Sequence, residues 1–240
     1  MISIIKKFIS KQQFEPSSVG IFFNPYFISR YAIYMELKKT ASTFNSGRVL
    51  DLGCGVRPYE GLFSVDEYIG VDIEGGGHAE DNKYCDIYYD GKTVPFPDSS
   101  FDIVLSTQVI EHVEDYDLYL SEAFRVLKAG GVLILTCPFV FEEHEKPYDF
   151  WRFSSFGITN LLEKHSFNVQ RVVKCEPFFE SLAQLLSSFI YINLMRNNKY
   201  IDLLITFFFC CPIQLFGIVL SFIVRKKDDF YLNLLVVAKK

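Results

Sequence analysis

The sequence predicts an α/β fold: a mostly parallel sheet with helices on both faces. Three observations predict it. Strand-like and helix-like runs alternate from Arg48 to Cys175. The clearest helical run, "LYLSEAFRVLK", carries apolar residues at Leu118, Leu120, Ala123, Phe124 and Leu127, close to helical spacing. The first strand-like run ends directly in a glycine-rich turn, "VLDLGCG".

The elements follow in order. Residues 1–46 are aromatic-rich and irregular, with a helix expected over Ile28–Lys38 after the Asn24-Pro25 turn. "RVLDL", "EYIGVDI" and "FDIVLST" read as the first three strands. The helix at Leu118–Lys128 is expected to stop at "AGG", and "VLILTCP" is the next strand. "SSFGITNLLEKHSF" reads as a helix capped by Ser154 or Ser155. "NVQRVVKC" and "FYLNLLVVAKK" are the last two strands. This gives three parts: an aromatic cap (1–46), the α/β domain (47–175 and 230–240) and an apolar helical insertion (176–229). Met35 and the many phenylalanines are expected in the core.

Composition narrows the function. The 240 residues fit one domain with an elaboration. Half are hydrophobic and 25 are Phe, so some apolar surface needs a special destination. A formal net charge of −5 argues against a nucleic-acid partner. The six cysteines form no C-x-x-C pair, which disfavours zinc and thioredoxin-type readings and suggests reduced thiols in the cytoplasm. The opening "MISIIKKFISKQQFEP" lacks the apolar length and charge placement of a secretory signal.

Gly53 and Gly55 let the backbone approach a ligand at the carboxyl end of the first strand. In a dinucleotide fingerprint the third glycine would fall at Pro58, which has no N–H to donate to a pyrophosphate. Asp72 ends the next strand, where a carboxylate accepts both hydroxyls of a ribose. The ligand therefore has a ribose and no pyrophosphate, and NAD-dependent redox chemistry is disfavoured.

Four ordered stretches, "VLDLGCG", "YIGVDIE", "DGKTVPFPDSSFDIVLSTQVIEHVED" and "EAFRVLKAGGVLILTCPF", resemble the class I S-adenosylmethionine-dependent methyltransferases of the type 11 group. The resemblance implies a Rossmann-like sheet of seven strands, one of them antiparallel, and S-adenosyl-L-methionine as cofactor. It also implies that Asp51, Gly53, Cys54 and Gly55 line the methionine part. Asp72 holds the ribose with Ile73 beside it, and Asp90 meets the adenine amine with Gly91 offering backbone; Asp86 is a rival for Asp90. Thr107 and Gln108 flank the sulfonium. Arg57-Pro58 departs from the family pattern, and Arg57 is expected to pair with the cofactor carboxylate.

Methyl transfer to oxygen can need a base. The candidates lie in "FEEHEKPYDFWRF", and His144 ranks first because imidazole titrates near neutrality. Glu111 and His112 are not expected to bind metal, since no further His or Cys stands at ligand spacing. Asp102 is expected to be structural. "HEKPYDFWRFSSFGI" resembles a stretch of methyltransferases associated with bacterial surface-glycan synthesis, which implies a sugar or glycolipid hydroxyl as acceptor. The competing reading is a non-catalytic module of the same fold that binds a partner through the insertion.

The insertion contains the apolar run Leu203–Val224, long enough to span a bilayer. A span would place the last strand on the wrong side of the membrane, and basic residues flank both ends: Arg196 and Lys199 before, Arg225 to Lys227 after. The expectation is a helical hairpin over 178–224 lying in or re-entering the inner leaflet, with a buried helix pair or a homodimer interface as the alternative. Thr206, Cys210, Gln214, Gly217 and Ser221 fall on one helix face, and Pro212 can kink or split the run.

Overall fold

The structure, a computed structural model, describes residues 11–75, 84–224 and 229–240. They fall into two compact units: Leu37–Val173 with Asn233–Lys240, and Met1–Glu36 with Lys174–Leu232.

The first unit is built on seven strands: β1 (Arg48–Leu52), β2 (Glu67–Ile73), β3 (Ile87–Tyr89), β4 (Phe101–Thr107), β5 (Leu127–Pro138), β6 (Asn168–Cys175) and β7 (Asn233–Lys239). Their order across the sheet is β3-β2-β1-β4-β5-β7-β6. β1 to β5 pair in parallel, and β7 runs antiparallel to β5. This is the Rossmann-like class I methyltransferase topology. Val49, Leu50, Val71, Val104, Leu105 and Ile134 are fully buried at its centre. The strand order reverses beside β1, so the carboxyl ends of β1 and β4 open a cleft where ligands bind in such sheets.

Local chemistry sets the helix starts. Asp115 accepts the Leu118 amide at the head of the helix Tyr116–Val126, which buries Tyr119, Leu120 and Ala123. Ser154 does the same for Gly157 at the head of Ser155–Lys164, one of the two caps expected. The "AGG" segment is not a helix stop. The helix ends at Val126, Leu127 already pairs with Phe101 in the sheet, and the register shifts before Ile103 meets Val132. Gly130, at φ +77°, sits in that irregular stretch. Asp102 accepts Lys128 Nζ and the Arg48 amide, a structural role as expected.

Among the described residues, the second unit contains the helices α1 (Phe27–Ala41, whose last turns belong to the first unit) and α4 (Phe178–Leu194) and one long helix. For this numbering, α2 is Tyr116–Val126 and α3 is Ser155–Lys164. The long helix comprises α5 (Lys199–Ile205), a π-helical turn over Thr206–Cys210, and α6 (Cys211–Ile223) with Pro212 in its first turn. The helix runs on through Pro212 without a break, and the departure from α-helical geometry is the π-helical turn before it. The N-terminal segment and the insertion pack as one unit rather than two separate parts.

This unit is arranged polar side inward. Thr206, Cys210, Gln214 and Gly217 are buried. So are Ser181, Gln184, Ser187 and Ser188 on α4. Gln214 Oε1 accepts the Ile28 amide at 3.2 Å, and its Nε2 donates to the carbonyls of Asn24 and Pro25 and to Ser187 Oγ. Gln184 Oε1 accepts the Ser29 amide, and Ser187 Oγ donates to Pro25 O at 2.7 Å. A Cβ on Gly217 would lie 2.3 Å from Ala183 Cβ, so the two helices touch backbone to backbone. The large apolar side chains face out instead: Phe189, Phe208 and Phe216 are each more than 60% exposed and Phe222 is 80% exposed. Met35 is exposed as well, so neither it nor these phenylalanines are core. Met35 was expected in the core on residue type alone, and Gln184 and Gln214 share the interior of this unit with an apolar cluster of Ile21, Phe27, Ile28, Ala183 and Cys211.

Candidate functional site

The site forms where β1, β2, β4 and β5 end. Gly53 (φ +82°) and Gly55 (φ +51°) turn the chain sharply after β1. The amides of Gly53 and Cys54 both donate to Val71 O, which fixes the turn against β2. At Gly53 the neighbouring Val109 leaves no room for a side chain: a Cβ would come within 2.6 Å of it. At Gly55 a Cβ would meet nothing within 4 Å, so that glycine borders open space. Cys54 is turned inward: its sulfur covers Gly70, and burial pushes its thiol well above the usual range.

Two carboxylates anchor this turn. Asp72 Oδ2 accepts the Gly55 amide at 2.8 Å and Oδ1 accepts its neighbour Ile73's amide at 2.8 Å. Asp51 is buried, and Tyr68 Oη donates to its Oδ2 at 2.6 Å. Its Oδ1 has no hydrogen-bond partner among the described residues. Burial pushes the Asp51 carboxyl up to about 7.

Arg57 is engaged within the protein. Its Nη1 donates to both oxygens of Asp86, at 2.9 and 2.8 Å, and its Nη2 donates to Glu60 and to Tyr68 O. The guanidinium clasps the turn to β2 through these two nitrogens, while its buried Nε has no hydrogen-bond partner among the described residues. The same contacts, with the Gly70 amide on Asp86 Oδ2, commit Asp86 to the scaffold and remove it as rival to Asp90. Asp90 stands exposed after β3. Its Oδ1 accepts the Thr93 and Lys92 amides, which hold its carboxyl below the usual range. Gly91 (φ +74°) rests on Ile73: a Cβ there would lie 3.4 Å from Ile73 Cγ2. The ends of β2 and β3 therefore meet through Ile73 and Gly91. Thr107 ends β4, and Gln108 follows in a left-handed conformation, its amide on Thr136 O and its side chain on Thr136 Oγ1.

A second cluster lies after β4 and β5. Glu111 is fully buried, and burial pushes its carboxyl up to about 8. His112 and His144 stack edge to face at 4.8 Å between ring centres. His112 Nδ1 lies 2.7 Å from Tyr148 O. His144 Nδ1 lies 3.2 Å from Asp149 Oδ2, and the His144 amide donates to the same oxygen at 2.9 Å. Arg152 grips Asp149 with two bonds of 2.6 Å. Burial lowers the His144 pKa, so the imidazole is neutral near pH 7. The sequence denied Glu111 and His112 a further ligand; the fold supplies one by bringing the loop after β5 against the turn after β4. Tyr68 was also missed. It reads in the sequence as one more strand aromatic, and only the pairing of β1 with β2 reveals its reach to Asp51.

Strand order and strand-end carboxylates are those of a Rossmann-like class I methyltransferase fold. Residues 50–135 match the family described as "Methyltransferase domain". A curated relative from Mycolicibacterium smegmatis, described as "Probable S-adenosylmethionine-dependent methyltransferase", is 34% identical over 109 residues, covering 43% of this chain and 37% of that protein. A "Fatty-acid O-methyltransferase" of the same organism is 29% identical over 124 residues, covering 45% of this chain and 44% of that protein. The chain thus spans less than half the length of these relatives. Among solved structures, the Haemonchus contortus phosphoethanolamine N-methyltransferase 2 in complex with S-adenosyl-L-methionine superposes with a TM-score of 0.54 at 20% identity, over 95% of this chain and 58% of that one.

The residues present fit S-adenosylmethionine, the cofactor named in the descriptions of these relatives. The buried, unpartnered Asp51 Oδ1 suits an ammonium donor. The space beside Gly55 admits a chain pressed against backbone, and Asp72 stands at the end of β2, where a ribose is received in such sheets.

Proposed function

We propose that this chain is an S-adenosylmethionine-dependent methyltransferase that works at a membrane surface and methylates an oxygen of a membrane-linked acceptor, a sugar or glycolipid hydroxyl. The observation that carries the membrane part is the second unit's inverted arrangement. Helix α6 buries Gln214 while leaving Phe216, Val219, Phe222 and Ile223 open. Water would favour the reverse. At roughly 25 cal/mol per Å², even a few hundred Å² of such surface matters by several kcal/mol, and hydrocarbon relieves that cost. Lys199–Ile223 runs as 25 helical residues, with an 18-residue window of mean hydropathy 2.4 of which only a third is buried. Exposed Arg196 and Lys199 at its start suit anionic headgroups. The relative named for fatty-acid O-methylation has, by that name, an oxygen acceptor on an apolar molecule, in keeping with this reading.

Bound, the cofactor supplies an electrophilic methyl on a sulfonium. The chain's own residues position and desolvate. Asp72 receives the ribose hydroxyls, Asp51 receives the ammonium, and the Ile73–Gly91 contact floors the adenine. Asp90 takes the adenine amine at the rim. The Glu111, His112 and His144 cluster stands at the ends of β4 and β5, on the acceptor side. There His144, held through Nδ1 by Asp149, presents Nε2 to an acceptor hydroxyl, in reach to take its proton.

Vesicle flotation tests the membrane part. The wild type is expected to float with anionic vesicles and to be released by detergent better than by salt. Phe208, Phe216 and Phe222 replaced together by Asp should leave it in the soluble fraction with its helix content intact. A wild type that is soluble and monodisperse without lipid or detergent would overturn the reading. A soluble dimer that those substitutions split would assign the apolar face to self-association.

A further inference from the structure

We propose that Glu111, His112 and His144 form a binding site for one divalent transition-metal ion, at the acceptor edge of the methyltransferase cleft. The inference is independent of the membrane reading, because all three residues belong to the sheet unit.

Geometry comes first. One ligand atom from each of the three residues lies within 4.8 Å of the other two. His112 Nε2 and Glu111 Oε1 are 4.0 Å apart, and Glu145 Oε2 lies 3.8 Å from the same nitrogen. Metal bonds of about 2.1 Å place neighbouring donors about 3.0–3.4 Å apart, so small rotations of a carboxylate and two imidazoles close the site.

The second observation is independent of that spacing. Glu111 is fully buried, yet neither carboxylate oxygen has a hydrogen-bond partner among the described residues. A buried carboxylate in that condition is costly unless a cation or a donor meets it. Arg152 is the nearby fixed cation, and its guanidinium is already bound to Asp149 and to the carbonyls of Phe141, Glu142 and Trp151.

The imidazoles are also prepared. His112 Nδ1 faces Tyr148 O, which only accepts, so Nδ1 carries the proton and Nε2 offers its lone pair. His144 Nδ1 faces Asp149 Oδ2 and Glu142 O, both acceptors, which leaves its Nε2 in the same state. A ring nitrogen fixed by a carbonyl or a carboxylate is the usual support of a metal-bound histidine. Two imidazoles and one carboxylate suit zinc, cobalt, manganese or iron(II) better than magnesium or calcium, which prefer all-oxygen sets. An acceptor hydroxyl reaching this edge could take an open position on such an ion, and His144 would then be a ligand rather than a base.

The test uses full-length, untagged protein stripped with a chelator and titrated with Co²⁺ alone. The expected result is one Co²⁺ per chain with visible d–d bands, displaced by Zn²⁺. His144→Ala and His112→Ala should each weaken Co²⁺ binding at least tenfold, while His165→Ala, whose ring pairs with Asp117, should not. His144→Cys gives a signal that does not depend on loss: a thiolate-to-cobalt charge-transfer band absent from the wild type. Stoichiometric binding that survives both alanine variants, no binding in the folded wild type, or a folded His144→Cys protein that binds Co²⁺ without the new band would each overturn the site.

Discussion

The Gly55 amide donates to Asp72 Oδ2 at 2.8 Å, so the turn after β1 and the acid ending β2 hold one another in place. Asp72 therefore shapes the glycine turn, and in the proposed site it also receives the ribose. Asp72→Ala should weaken S-adenosylmethionine binding more than tenfold, about 1.4 kcal/mol. Calorimetry on the folded variant checks this, and unchanged affinity would remove Asp72 from the site.

The two glycines of the turn should fail differently. Gly53→Ala forces a Cβ to within 2.6 Å of Val109 at a φ of +82°. It should cost about 1–3 kcal/mol of stability, read as a lowered Tm. Gly55→Ala points its methyl into open space. It should cost about 1 kcal/mol of backbone strain or less, yet reduce cofactor affinity markedly. Equal stability losses with equal affinity losses would contradict this division.

Asp51 makes stability depend on pH. Its folded pKa is raised by burial to about 7 from the ordinary aspartate value of 3.8. The folded state therefore holds the proton more tightly than the unfolded chain. The resulting stabilisation is complete below about pH 4 and is lost as pH rises through 7. Asp51→Asn keeps an acceptor for Tyr68 and should flatten this dependence in cofactor-free protein, by up to about 4 kcal/mol across the window. Urea denaturation at pH 4 to 7 measures it; identical pH profiles for wild type and variant would show that Asp51 does not carry the proton.

Much of this was legible in the sequence. The strands around Asp51, Asp72 and Thr107 announced themselves as apolar runs ending at polar residues, and Ser154 announced a helix start. β3 did not, because three residues of mixed burial carry no period. "AGG" misled because a helix stop and a strand irregularity both recruit glycine. Arg57 was assigned by its neighbourhood in the chain, whereas Asp86 and Glu60 claim it in space. The Glu111, His112 and His144 cluster was invisible for a like reason: its members join only when β5 is laid beside β4. The polar stripe of α6 was readable at helical spacing, but spacing cannot say whether a stripe faces in or out.

That inward stripe gives a prediction contrary to ordinary intuition. Gln214→Ala should destabilise the second unit by about 2–4 kcal/mol, since it strands the Ile28 amide and breaks the contacts to Asn24, Pro25 and Ser187. Phe216→Ser, in an exposed position, should cost under about 1 kcal/mol. Limited proteolysis within the 178–224 segment, in detergent, ranks the two. The opposite ranking would mean that the helices pack with their apolar faces inward.

The most direct measurement of the central claim is transfer of labelled methyl from S-adenosylmethionine into membranes of the source cell, followed by separation of lipid, soluble and protein fractions. The account predicts base-stable label in the lipid-extractable, sugar-bearing fraction, dependent on intact membranes and lost with Asp72→Ala. Label confined to protein or to water-soluble products, or no label at all from protein that binds the cofactor, would contradict it.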